Sequence, residues 1–480
     1  MLRYSILFFF IFIFSVYAFK DWFKSLCGLV FLMSVMERAD MPRGMLGIPG
    51  LNPYNILLLF VIIGWLISRN KEQRKWDMPT LISFLLFAYF LIIITSVARF
   101  LFAGKTIFLI PGLNPDMVTN SYVIMNYLIN SLKYVIPGLL IYDGCREEKR
   151  TRLVAYTLMV TFFLLALQTI SRIGFADVLN SDALQHKAAR ILGKTPGYFR
   201  VELAALLAAA VWVFFCATQL FPKKRFKQLI CLACSGICAL ALLLTAGRTG
   251  YGTCVLLGIF FAVFRWRSLM IVGPAAIVLL ITFVPAARDR LLEGFDESTH
   301  ETSVEDLEVD GGMYAITSGR TVVWPFALER IGKNPIFGYG FHGWLTTGGH
   351  LEIYELLGAP WAHPHNAYLQ FIIDNGLLAT LLVLWFFSLV LIKAFRLFIN
   401  GNYYKVFIGG TCIALVLATL ISAFGALSFY PKAIMVFMWC SIGLAIRYAY
   451  HPPQKLSINA ESSFVAPEDI PFTGNPVERI

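Results

Sequence analysis

This sequence predicts an all-α polytopic membrane protein of about 12 to 13 transmembrane helices, with one large outward loop containing short helices. Three observations predict it. The 480 residues are 58% hydrophobic and only 14% charged, with a mean hydropathy of +0.70, which lies outside the range of soluble domains. Apolar runs close to the ~20 residues that cross ~30 Å of hydrocarbon recur along almost the whole chain. The runs are continuous rather than alternating, which selects helices over a closed barrel, the two forms whose backbone is satisfied in lipid.

In order, the runs predict spans near 4–19, 25–36, 53–68, 79–97, 119–142, 153–170, 201–221, 229–245, 250–264, 269–285, 366–392, 406–424 and 431–447. The first has a basic start, an apolar core and a small-residue end at Ala18, but more helices follow at once, so it reads as a retained helix rather than a cleaved signal. The 25–36 run is short for a span and fits one arm of a tight hairpin. The net charge of +11, from 40 Lys+Arg and 29 Asp+Glu, does not point to nucleic acid, because the positive residues sit in short loops. These are "RNKEQRK" (69–75), "REEKRTR" (146–152), "PKKRFK" (222–227), "RWR" (265–267) and the Lys393 to Lys405 connection; the charge rule puts them in the cytoplasm. Residues 37–52, 98–118, 171–200, 246–249, 286–365 and 425–430 then face outward.

The domain organisation follows: N-terminal transmembrane helices over 1–285, the large outward loop over 286–365, C-terminal transmembrane helices over 366–447, and a polar, disordered cytoplasmic tail over 448–480. The loop of about 80 residues is far longer than ordinary helix connections, which marks it as functional or disordered. Its second part, "GRTVVWPFALERIGKNPIFGYGFHGWL", predicts an amphipathic helix over Thr321 to Ile331 and a tight turn at Gly338 to Gly340. Residues 296–312, "DESTHETSVEDLEVDGG", are acidic and poor in apolar side chains, a solvated strip rather than a cation site. No cysteine falls in this loop, so no disulfide framework is implied. Cys231, Cys234 and Cys238 share a helix face with no His or carboxylate nearby, which reads as small-residue packing rather than a metal site.

Few polar groups stand at the outer boundary of the spans. His365, just ahead of the 366–392 run, is an imidazole able to take a proton from a hydroxyl. His363 and Pro364 stiffen its approach, while Asn366 can cap the helix or orient a ring. Arg248 lies where two long apolar runs are joined by almost nothing, and Arg320 opens the loop helix, where an arginine and a helix N-terminus can grip one anion. The 171–200 loop carries Arg172, Lys187, Arg190, Lys194 and Arg200 against Asp177 and Asp182, an outward positive excess that suits a phosphate. Arg200, at the mouth of a helix, is its leading member.

His365-Asn366, nine residues, Gly376, two residues and Ala379 together resemble the H-[N/S/Q]-x9-G-x-x-G signature of the O-antigen ligase superfamily, with "GRTG" and "SGRTVVW...NPIFGYGF" upstream in the expected order. Ala379 stands where the family usually has glycine. The resemblance implies a GT-C type glycosyltransferase of the bacterial inner membrane with its active site facing the periplasm. Such enzymes move a glycan from an undecaprenyl diphosphate carrier to an acceptor hydroxyl, without a nucleotide sugar, cofactor or essential metal. Carried over by position, Arg248 and Arg320 bind the diphosphate and His365 is the catalytic histidine, with Arg190, Arg200, His363 and Asn366 as further substrate-binding candidates. Membrane lipids, the lipid-linked donor, and lipid A core or another glycan acceptor are the implied partners. Ligation of O-antigen is favoured by the His-Asn spacing and by the lack of a large extra C-terminal region typical of protein-directed members; polymerisation of repeat units is the alternative. A lipid or polysaccharide transporter would place more ionisable groups mid-span, whereas most spans here lack them, Lys133 within 119–142 being an exception, and no internal repeat is evident.

Overall fold

Backbone groups inside hydrocarbon must find partners within their own segment, so each long apolar run becomes a helix. The computed structural model describes residues 2–42, 44–45, 48–104, 107–176, 180–283, 285, 288–289, 319–425 and 429–453. The acidic strip at 296–312 and most of the tail, from residue 454, lie outside the described residues. Among those described, nine helices are long and apolar enough to cross a membrane, and four shorter apolar helices accompany them. All thirteen expected runs are helical, and the protein is an all-α polytopic membrane protein. A two-residue ladder, β1 (Gly44–Met45) with β2 (Ile48–Pro49), is the one piece of sheet among the described residues.

α1 (Leu2–Tyr17) and α2 (Trp22–Met36) form the tight hairpin, and Asp21 caps α2 by accepting from the Lys24 amide at 3.2 Å. α3 (Pro53–Glu72), α4 (Thr80–Phe102), α5 (Asn120–Gly144) and α6 (Glu148–Ile173) follow. α5 is not a uniform helix; it passes through a π-turn at Ile124–Ile129. Lys133 within it is buried, donating to Asn55 Oδ1 at 3.1 Å between the rings of Tyr54 and Tyr134. The 171–200 segment, expected as a loop, contains the amphipathic helix α7 (Ser181–Leu192), whose Leu184, Ala188 and Leu192 are buried. Next come α8 (Arg200–Ala217), α9 (Arg225–Leu244), α10 (Arg248–Phe264) and α11 (Leu269–Phe283).

The large loop holds α12 (Arg320–Lys333), α13 (Gly343–Thr346) and α14 (Gly349–Leu357). The expected loop helix and the turn at Gly338 and Gly340, both with positive φ, are present. The chain closes with α15 (Ala367–Asn400), α16 (Tyr403–Ser422) and α17 (Val436–Tyr450). α8, α16 and α17 are the most buried of the spans and form the centre of the bundle. Ala204, Ala205 and Ala208 to Ala210 make α8 narrow, so that its neighbours approach closely without any hydrophobic drive between helices.

The two ends of the bundle are built differently. At the basic-loop end, Arg447, only 2% exposed, donates to both oxygens of Asp77 at 2.9 Å each and to the Tyr142 carbonyl at 2.7 Å. Asp143 accepts there from Trp65 at 2.7 Å and Arg146 at 2.9 Å. At the opposite end a second core forms under the large loop. Ile110 and Leu113 pack there with Val323, Ala327, Trp344 and Ile353. Arg330 clasps it, pairing with Glu352 at 2.7 Å over the Trp344 ring.

The expected 366–392 span is not one straight helix. Gly376 takes φ +79 and ψ 172 inside α15, so a nine-residue helix, 367–375, precedes the long one. The loop of "NPIFGYG" fills the break: Leu377 N donates to the Pro335 carbonyl at 2.7 Å and Tyr339 N to Ile373 O at 2.8 Å. A Cβ on Gly376 would lie 1.9 Å from the Ile336 carbonyl oxygen. Gly376→Ala is therefore expected to cost about 3 kcal/mol or more from strain and overlap together, read as a fall in the thermal midpoint of the purified protein.

Candidate functional site

At the large-loop end of the bundle three helices begin with an arginine: Arg200 of α8, Arg248 of α10 and Arg320 of α12. A helix N-terminus already carries about half a positive charge and unsatisfied N–H groups, so a cation there is disfavoured by about 0.3–1 kcal/mol. The helices bring these ends together. Arg200 Nη1 donates to the Ala246 carbonyl at 3.2 Å, in the tight turn that leads into Arg248. Arg320 Nη2 lies with Thr249 Oγ1 around Gly425, where an added Cβ would meet them at 3.4 and 3.1 Å. Burial, and then the charge of Arg248, lowers the pKa of Arg320. Its Nε is shielded from solvent and has no hydrogen-bond partner among the described residues. Two half-buried guanidiniums thus face one another with a donor to spare, an arrangement that an anion would relieve.

His365 stands beside them. Its backbone is left-handed, φ +51, a conformation unusual for a side chain of this size. Four contacts hold it and the residue before it. Its own N–H donates to His363 Nδ1 at 3.2 Å; its ring lies 4.1 Å from that of His363 and meets Trp361 edge-on at 4.9 Å; and the Pro364 carbonyl accepts from Trp324 Nε1 at 3.2 Å. Burial, reinforced by Arg320, depresses the His365 pKa to about 4. His363 is held well below its usual value by burial first, then by His365 and Lys432. Both rings are therefore neutral at physiological pH, and a neutral imidazole is the form that accepts a proton.

Of the residues singled out in the sequence, Arg200, Arg248, Arg320, His363 and His365 share this end of the bundle. Asn366 caps the helix: its Oδ1 accepts from the amides of Tyr368 at 3.0 Å and Leu369 at 3.2 Å. Arg190 lies on the exposed face of α7, and no contact joins it to the cluster among the described residues. The sequence reading missed Lys432, which pairs at 2.6 Å with Glu202 in the first turn of α8, and whose charge reaches His363. Nothing in its local sequence marks Lys432, because the pairing is long-range. It also missed Asp374, an ionisable residue within a predicted span and for that reason detectable.

Chemically, the arrangement offers a concentration of positive charge at converging helix N-termini with a neutral imidazole at its edge. Residues 233–384, roughly a third of the chain, match the family model described as O-antigen ligase. The matched segment runs from α9 into α15 and so contains Arg248, Arg320 and His365, but neither Arg200 nor Lys432. No curated protein matched the sequence.

Proposed function

We propose, from the match of residues 233–384 to the O-antigen ligase family model, that the protein is an inverting glycosyltransferase of the inner membrane. It would transfer a glycan from undecaprenyl diphosphate to an acceptor hydroxyl at the periplasmic face. The observation that supports this most is the meeting of Arg248 and Arg320, each at a helix start, beside His365. As the anomeric carbon–oxygen bond breaks, negative charge gathers on the departing diphosphate. Two guanidiniums and the N-termini of α10 and α12 stabilise that charge more than they stabilise the intact donor. His365 takes the proton of the acceptor hydroxyl as its oxygen bonds to the anomeric carbon from the opposite side. The configuration inverts and no glycosyl-enzyme forms. Lipid A core or a related surface glycan is the acceptor we favour, on the His-Asn spacing; a growing glycan on a second carrier is the polymerase alternative.

The test is transfer by purified protein from a lipid-linked glycan to each acceptor, measured across pH. A proton on His365 disables it as a base, so activity is lost as pH falls through its pKa. The acid limb of kcat/KM, which reports the free enzyme, is expected near pH 4. The limb of kcat should lie higher, because a bound diphosphate favours the imidazolium. An acid limb that is unchanged in the residual activity of His365→Ala would remove His365 from the role.

A further inference from the structure

The helix that follows His365 is short, and a carboxylate is buried at its far end. Asp374 is fully buried. Its Oδ1 accepts from Gln370 Nε2 at 2.7 Å and from the Gly343 amide at 2.9 Å, and its Oδ2 accepts from the Tyr430 hydroxyl at 2.9 Å. Tyr430 in turn receives Asn375 Nδ2 at 3.0 Å and lies 3.4 Å from Ser96 Oγ. The backbone around it is equally engaged. Gly340 N donates to the Asp374 carbonyl at 2.8 Å, and Arg99 of α4 donates to the carbonyls of Phe337 and Gly338 at 2.6 Å each. A Cβ on Gly338 would lie 2.6 Å from the Ile373 oxygen, so the loop is pressed directly onto the helix.

Three parts of the chain therefore meet at this side chain, the large loop, α15 and the α16–α17 connection, and α4 joins them through Ser96 beside Tyr430 and Arg99 on the loop. Two of them carry site residues, since the large loop bears Arg320 and His365 and the connection bears Gly425 and Lys432. A buried carboxylate costs several kcal/mol unless donors satisfy it, and here three do. The choice of acid is chemically pointed. An amide could keep the Gln370 and Gly343 bonds only by turning its NH2 toward Tyr430, whose hydroxyl would have to change from donor to acceptor, whereas a carboxylate accepts from all three. Gly376 uncouples residues 367–375 from the long helix, so the orientation of this short segment is set by its contacts: at its start Ala367 N donates to the Ala423 carbonyl at 2.7 Å and the Tyr368 hydroxyl to the Leu420 carbonyl at 2.8 Å, and at its far end stands Asp374. Nine residues span roughly 13 Å. A tilt of about 10° at Asp374 would move His365 by roughly 2 Å, and about 1 Å of misplacement can cost on the order of 100-fold in rate.

We propose that Asp374 is a positioning residue, bolting the 367–375 helix to the large loop and to Tyr430 and thereby setting where His365 stands against Arg320. This rests on the reading of His365 as the base, so the test has one arm that does not use turnover. Amide hydrogen exchange of the purified full chain is followed at residues 336–343 and 367–376 in the wild type, Asp374→Asn and Tyr430→Phe. Exchange at Gly340 and Gly343 is expected to rise at least about 10-fold in Asp374→Asn, and kcat to fall about 100-fold while KM for the donor stays within about threefold. Tyr430→Phe, which deletes one donor, should fall between the wild type and Asp374→Asn, and it carries the test alone if the asparagine variant does not fold. Unchanged exchange would overturn the bolt. Raised exchange with undiminished kcat would overturn its positioning role. A wild-type protein without transferase activity would sink the functional reading, and the exchange arm would still decide the bolt.

Discussion

Arg320→Lys is expected to lower kcat for glycan transfer about 100-fold, with a deficit that deepens as the pH rises. Two physical differences act together. Lysine offers a point charge on a flexible stem where arginine offers a planar fork, and it has no counterpart to the Nε donor that Arg320 holds in reserve behind its outer nitrogens. The second difference concerns the charge itself. Burial and Arg248 both push protons off this position. A guanidinium, starting above about 12, stays charged throughout the working range. An ammonium starts near 10.4 and is lowered by the same two causes. Its charge, and with it the stabilisation of the leaving diphosphate, is therefore lost progressively as pH rises. Measured from pH 6 to pH 10, the ratio of wild-type to variant kcat should climb. A flat ratio would show that only the fork is missed, and full activity in the variant would remove Arg320 from the site. Arg248→Lys should behave in the same direction.

How far the sequence alone could reach is clear from where the site residues sit. The thirteen apolar runs were legible because a run that is apolar throughout, and not alternating, leaves the backbone in hydrocarbon only the helix, and each is a helix. Arg248 and His365 drew notice because each is a polar group at the edge of an apolar run, which is visible in one dimension, and Arg320 because it opens the loop helix. The break in α15 was not. Gly376 alone does not end a helix; it ends this one because the Pro335 and Ile336 carbonyls, some forty positions upstream, come close enough to exclude a Cβ and to bond the Leu377 amide. Lys432 and Glu202 belong to the same class, since their partnership spans nearly half of the chain. α7 was missed for another reason. Its apolar face is only Leu184, Ala188 and Leu192, too few for hydropathy to register, although their spacing of four is helical. Asp374 was in view and passed over: a carboxylate inside an apolar run is a functional position by default.

His365→Gly is expected to abolish transfer while leaving the protein as stable as the wild type. The expected loss for removing a general base is about 10²–10⁴-fold. The stability argument starts from the backbone. At φ +51 a histidine carries about 1 kcal/mol of strain or more that glycine does not. Against that relief stand the ring contacts with Trp361 and His363, worth roughly 0.5–1.5 kcal/mol, and the larger entropy of glycine in the unfolded chain, about 0.5–1 kcal/mol. The terms nearly offset, so the thermal midpoint should stay within a few degrees. His365→Ala loses the same ring contacts and keeps the strain, so it should be no more stable than the glycine variant and equally inactive. The pair separates two explanations of the histidine. If it serves the fold, activity will follow the order of stability and the glycine variant will retain more turnover than the alanine. If it moves a proton, both will be inactive whatever their midpoints, because the left-handed backbone is then tolerated for the sake of where the ring points.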